Sequence, residues 1–98
     1  MKIPKKIKIC GKTYTIEMRN NRGINDGADK AASGSVWSQK IWIDSDQHIE
    51  GQEDCLLHEI IELILKETDF EVSHSLITTL GFILYQVLKD NNLLKEGD

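Results

Sequence analysis

Hydrophobic and polar positions follow two different periods in the two halves of this chain. Ile3, Ile7 and Ile9 share one parity among lysines, which predicts a strand around residues 5–10. Gly11-Lys12 reads as a turn, and Tyr14, Ile16 and Met18 then alternate with Thr13, Thr15 and Glu17 to complete a hairpin. Residues 19–33, rich in Asn, Gly, Asp and Ala, read as a long irregular connection, of a length that small domains keep for mobile or functional segments. A second hairpin is expected from Ser35-Val36-Trp37 and Ile41-Trp42-Ile43 around Ser38-Gln39-Lys40, with Trp37 and Trp42 placed to pair across it.

Beyond the polar stretch from Asp44 to Gly51 the period lengthens to that of a helix. One helix is predicted over about 52–66 and another over about 73–91. In the first, Leu56, Leu57, Ile60, Ile61, Leu63, Ile64 and Leu65 fill a broad apolar arc. His58 and Glu62 fall just past one edge of that arc, and Glu59 further round the polar face. In the second, Leu76, Ile77, Leu80, Ile83, Leu84, Val87 and Leu88 define the stripe expected to be buried, bordered by His74, Thr78, Gly81 and Tyr85. Gly81 on that border would let the helices approach closely. The predicted core is Ile60, Ile61, Ile64, Leu76, Leu80, Ile83, Leu84 and Leu88, between the helices and one face of the sheet. Strands first and helices last give an α+β class: a small antiparallel sheet of two hairpins followed by two packed helices, as one domain over 1–98.

Composition narrows the function classes. With 98 residues, 40% apolar and 29% charged, the chain is globular and has room for one modest core. No apolar run approaches the roughly 18 residues of a membrane span. The N-terminal lysines are followed by no apolar stretch of the secretory type, so a cytoplasmic address, with Cys10 and Cys55 as free thiols, is the expectation. The net charge of −4 hides an asymmetry, because Lys2, Lys5, Lys6, Lys8, Lys12, Arg19 and Arg22 face only Glu17 in the first 22 residues. Lysine on an edge strand is an ordinary defence against aggregation. Without aromatic interleaving, that charge does not favour nucleic-acid binding.

The chemistry lies on the first helix. His58 and Glu62 are four residues apart, so their side chains project from one face a turn apart. That is the ligand spacing of H-E-x-x-H zinc sites with a carboxylate in place of the second histidine. Glu59 takes the position of the general base that acts on a metal-bound water. His74 supplies a third ligand, and two histidines with one glutamate are a catalytic zinc set. For His74 to reach the level of Glu62, the connection from Thr68 must run extended, back along the first helix. Cys55 reads as a half-buried thiol rather than a ligand, and His48 as a solvated loop residue. Asp44, Asp46, Glu50, Glu53 and Asp54 lack calcium-loop spacing and suit a solvated face near a helix N-terminus.

At Leu56-Leu57-His58-Glu59-Ile60-Ile61-Glu62, and at Leu84-Tyr85-Gln86-Val87-Leu88-Lys89-Asp90-Asn91 near the end of the second helix, the chain resembles small phage and prophage proteins of the zincin type. These are described as minimal gluzincin-like metallopeptidases with a sheet followed by two helices. Ile9-Cys10-Gly11-Lys12-Thr13-Tyr14-Thr15-Ile16 and Ile41-Trp42-Ile43-Asp44 look like theirs as well, so the resemblance covers most of the chain. Many of those proteins carry H-E-x-x-H followed by a glutamate on the second helix. Here Glu62 and His74 exchange those places and keep the ligand inventory. The resemblance implies a phage protein working in the cytoplasm of a bacterial host.

The leading expectation is therefore a zinc-dependent hydrolase acting on a peptide or protein, with Glu59 catalytic and His58, Glu62 and His74 holding the metal. Ser35–Ser38 or Ile41–Ile43 would offer the sheet edge for an extended substrate. A chain this small builds a shallow cleft, which a second copy or another partner would complete. The alternatives are a metal-stabilised or metal-free phage interaction module without catalysis, and a nucleic-acid accessory protein using the basic hairpin.

Overall fold

The alternating N-terminal segment folds as a tight hairpin of β1 (Lys6–Ile9) on β2 (Lys12–Arg19), in a computed structural model that describes residues 3–20, 31–91, 93 and 94. Its register pairs Ile9 with Lys12, so the two-residue turn is Cys10-Gly11, one position earlier than the sequence suggested. Both turn residues have positive φ, +52° and +81°, which matches a type I′ turn and the twist of the flanking strands. Most of the connection expected over 19–33, residues 21–30, lies outside the described residues.

The second hairpin forms with shifted bounds. β3 is Ala32–Ser35 and β4 is Lys40–Asp44, and the turn spans Val36–Gln39. Trp37 therefore sits in the turn, 95% exposed, while Trp42 is opposite Ser33. The expected Trp37–Trp42 pair does not form. Gln39 anchors the turn, its side chain donating to the Thr13 carbonyl at 2.8 Å and its own carbonyl accepting from Thr15 N at 3.0 Å. These bonds set the two hairpins side by side through a parallel β2–β4 pairing, Ile16 opposite Ile41. The sheet is thus mixed rather than antiparallel, in the order β1-β2-β4-β3.

One face of the sheet carries the core. Ile9, Tyr14, Ile16, Ile41 and Ile43 are buried there, and Leu56 and Leu63 of α1 (Ile49–Glu67) pack down onto them. Each such side chain contributes roughly 1.5–3 kcal/mol by leaving water. The opposite face is polar, with Glu17 bridging Arg19 at 2.7 Å and Lys40 at 3.4 Å. The C-terminal end of α1 is tied to the first hairpin through Glu67, which accepts from Lys12 Nζ at 2.9 Å and from Tyr14 Oη at 2.8 Å. Lys12, then Tyr14, hold the Glu67 carboxyl below the usual carboxylate range. Burial, and then the Glu67 bond, push Tyr14 up to about 12.

The second helix, α2 (His74–Asp90), packs on α1 rather than on the sheet. This overturns much of the predicted core. Leu76, Leu80, Ile83 and Leu84 are 40–50% exposed and Ile64 is 40% exposed, while Ile60, Ile61 and Leu88 are half-buried. The α2 residues that are buried are Ile77 and Gly81, one edge of the expected stripe and its border. The cause is layering: α1 lies between the sheet and α2, so α2 has only one side of α1 to cover. Among the described residues, no helix is long and apolar enough to cross a membrane.

Candidate metal centre

No proline interrupts α1, so His58 and Glu62 keep their one-turn spacing, and His58 Nε2 lies 3.3 Å from Glu62 Oε2. His74 arrives through a defined reversal. Thr68 caps α1, Asp69 adopts a left-handed φ of +60°, Asp69 N donates to Lys66 O and Phe70 N donates to Leu65 O at 2.9 Å. This is a Schellman closure with aspartate where glycine is usual. Residues 70–73 then run without helix until the Ser73 hydroxyl caps α2 by accepting from Leu76 N at 3.1 Å. The connection is non-helical, as the reach of His74 required.

His74 Nδ1 comes 3.7 Å from Glu62 Oε2, and the two imidazole centroids are 5.0 Å apart. One donor atom from each of His58, Glu62 and His74 falls within 4.8 Å of the others. Donors on a tetrahedral zinc with bonds of roughly 2.0–2.1 Å stand roughly 3.3–3.4 Å apart. The two contacts to Glu62 nearly meet that spacing. The rest of the closure falls to His74, whose side chain is 74% exposed and has room to move. Glu62 is steadied on its other oxygen by Lys66 Nζ at 3.5 Å, a partner that its i, i+4 spacing could have flagged.

Glu59 is not on the polar face where the helical wheel put it. It is 6% exposed, on the side of α1 that packs against the sheet with Leu56 and Leu63. Gly34 makes this possible: a Cβ there would stand 3.1 Å from Glu59 Oε1 and 3.1 Å from Leu63 Cδ1. The pattern of the sequence left Gly34 between two elements and without a role. On the α2 side, a Cβ at Gly81 would lie 3.5 Å from His58 Cα, so the second helix passes the ligand-bearing turn at little more than methyl width.

These groups line one cleft of about 540 Å³ between β3 and the helices, with Ser33 and Gly34 on one wall and His58, Glu59, Glu62 and His74 on the other. The strand beside it is β3, the edge of the sheet among the described residues. Of the edges expected from sequence, Ile41–Ile43 belongs to β4, an interior strand, and of Ser35–Ser38 only Ser35 is in a strand. A neighbouring apolar cleft of about 430 Å³, with Leu65, Phe70, Val72 and Ile77, shares Glu62, Lys66 and His74 with it.

The other candidates fall elsewhere. Cys55 lines the cleft but its Sγ is directed to Gln47 Oε1 at 3.6 Å, and burial raises its thiol pKa. His48 is the N-cap of α1, accepting from Glu50 N at 3.1 Å. Glu53 is buried and accepts from Tyr85 Oη at 2.6 Å, a bond that pins α2 to α1. Burial, then this carboxylate, drive the Tyr85 pKa far above its ordinary value. Comparison with known proteins finds no matching family model, curated protein or solved structure.

Proposed function

We propose that this protein is a zinc-dependent hydrolase of the minimal zincin type, acting on peptides. The observation that carries the reading is the convergence of His58, Glu62 and His74 on one point at the mouth of a cleft that also holds the buried carboxylate of Glu59. The donor set, two imidazoles and a carboxylate, fits zinc better than calcium or magnesium, which favour all-oxygen shells. Zinc held there would lower the pKa of a water and polarise the scissile carbonyl. Glu59 would accept the proton of a water whose oxygen bonds to the carbonyl carbon, and would pass it to the amine released as the C–N bond breaks. β3, the edge strand among the described residues, runs along the cleft where an extended substrate would lie, and the neighbouring cleft suits a hydrophobic side chain of it.

A second reading, a metal-stabilised phage interaction module without catalysis, draws on the burial of Glu59 against β3, which also suits a structural carboxylate. One set of variants separates the two. Calorimetric titration of zinc should show one ion per chain, lost in His58→Ala/His74→Ala and weakened in Glu62→Gln. Binding should fade at low pH, because protons compete with the metal for its ligands. Glu59→Gln should keep the ion while hydrolysis of a mixed peptide library, read by mass spectrometry, falls at least ~10²-fold. Zinc uptake equal in wild type and the double histidine variant would remove the site. Zinc bound by wild type with no library member cleaved would leave the module.

A further inference from the structure

Opposite the metal trio, the helical hairpin presents an apolar flank to solvent. On α1, Glu62 and Ile64 lie about 100° either side of the buried Leu63, so Ile64 points away from the trio. On α2, His74 and Thr78 lie on one side of buried Ile77, while Leu76 and Leu80 lie on the other. Leu76, Leu80, Ile83 and Val87 follow at spacings of four, three and four, the seam of a helix that packs against another helix. All four are 41–50% exposed, and Leu84 and Ile64 beside them are 40% exposed. We propose that this flank is covered by a second copy of the chain, the two hairpins packing about a twofold axis as a four-helix bundle.

Area and charge favour that occupant. The exposed parts of these six side chains amount to on the order of 500 Å², and a standard interface of roughly 800 Å² per partner needs a little over half of it apolar. The flank is therefore sized for one such interface, and its residues are contiguous where surface leucines are ordinarily scattered singly. The only charged side chains within α2 after His74 are Lys89 and Asp90 at its end. The seam's neighbours Thr79 and Gln86 are neutral, so two identical faces meet without like-charge repulsion. The same lack of basic residues is unsuited to an anionic membrane surface, where Lys and Arg flank the apolar face. An antiparallel twofold arrangement places Leu80 of one copy opposite Ile83 of the other.

Sedimentation equilibrium of the full chain over a concentration series tests this. Wild type should be a dimer, and Leu80→Glu/Ile83→Glu should raise the dimer Kd at least ~100-fold, from two central anchors at about tenfold or more each. Phe82→Gln, on the other side of α2, should leave the Kd unchanged. Should the double variant lose its far-UV circular dichroism, cysteine cross-linking decides. With Cys10 and Cys55 replaced by serine, Leu80→Cys/Ile83→Cys should give disulfide-linked dimers on oxidation, and Phe82→Cys should not. A wild-type monomer at all concentrations, a double variant that still dimerises, or equal cross-linking at both places overturns the proposal. So does a monomer that instead binds neutral phosphatidylcholine vesicles through this flank.

Discussion

Gly34→Ala tests whether the sheet edge controls the space around Glu59. The new methyl would stand 3.1 Å from both Glu59 Oε1 and Leu63 Cδ1, and 3.4 Å from Leu63 Cδ2. Two effects of opposite sign compete. Replacing a glycine inside a strand removes unfolded-chain entropy worth about 0.5–1 kcal/mol. Overpacking a filled site costs about 1–3 kcal/mol. Leu63 is 1% exposed and Glu59 6%, so neither can swing into solvent to make room, and the second effect should win. The expected net loss is about 1 kcal/mol. Urea unfolding of wild type, Gly34→Ala, Leu63→Ala and the double variant forms a cycle that isolates the contact. Leu63→Ala alone should cost about 2–5 kcal/mol, because it leaves a cavity under β3. In that background the alanine methyl has space, so the cost of Gly34→Ala should vanish or reverse. Strict additivity across the cycle, or a Gly34→Ala variant as stable as wild type, would refute this account of how β3 seats on α1.

Two further outcomes follow from the hydrogen bonds and turns. Tyr14 titrates near 10.0 when unfolded and about 12 when folded, so between those values the native state holds more protons and stability falls as pH rises. Tyr14→Phe should lose about 1 kcal/mol at pH 8 but show a smaller drop from pH 8 to 11 by urea midpoint than wild type, with Tyr85 maintaining part of the decline; equal drops would count against the Tyr14–Glu67 bond. Asp69→Gly should raise stability by up to about 1 kcal/mol, and Asp69→Val should lower it, since φ there is +60°; a thermal melt that ranks them the other way would contradict the left-handed turn.

What the sequence made legible follows from how local each signal is. The order of strands and helices, the helix bounds to within a few residues and the spacing of His58 and Glu62 are set by near neighbours. The β2–β4 pairing was not legible, because antiparallel hairpins are encoded in their turns, whereas this parallel contact depends on Gln39 reaching Thr13, 26 residues away in the chain. The tryptophans misled for a related reason. Residues 35–37 have strand-forming side chains, but the turn that places Gln39 takes in Val36 and Trp37. For Glu59 the apolar pattern pointed the wrong way, since only a gap at Gly34 lets a carboxylate occupy a sheet-facing position.

The helical wheel of α1 explains both surfaces of the hairpin at once. Its apolar residues span an arc of about 200°, from Leu63 round to Leu65, wider than the stripe of about 100° that one packed layer requires. The sheet takes one edge of that arc through Leu56 and Leu63, and α2 takes the other side, where Gly81 passes His58. Between those layers the middle of the arc, at Ile64, is left facing outward, and the outward seam of α2 extends it. The remaining arc holds His58 and Glu62 where β3 and α2 converge, with Glu59 at its sheet-facing edge, buried beneath Gly34. Enlarging the sheet-facing side of α1 would therefore press on Glu59, whereas changing Ile64 or the α2 seam would alter the covered flank and leave the spacing of His58, Glu62 and His74 intact. The proposed metal chemistry and the proposed self-association are thus separable by mutation, although one helix supports both.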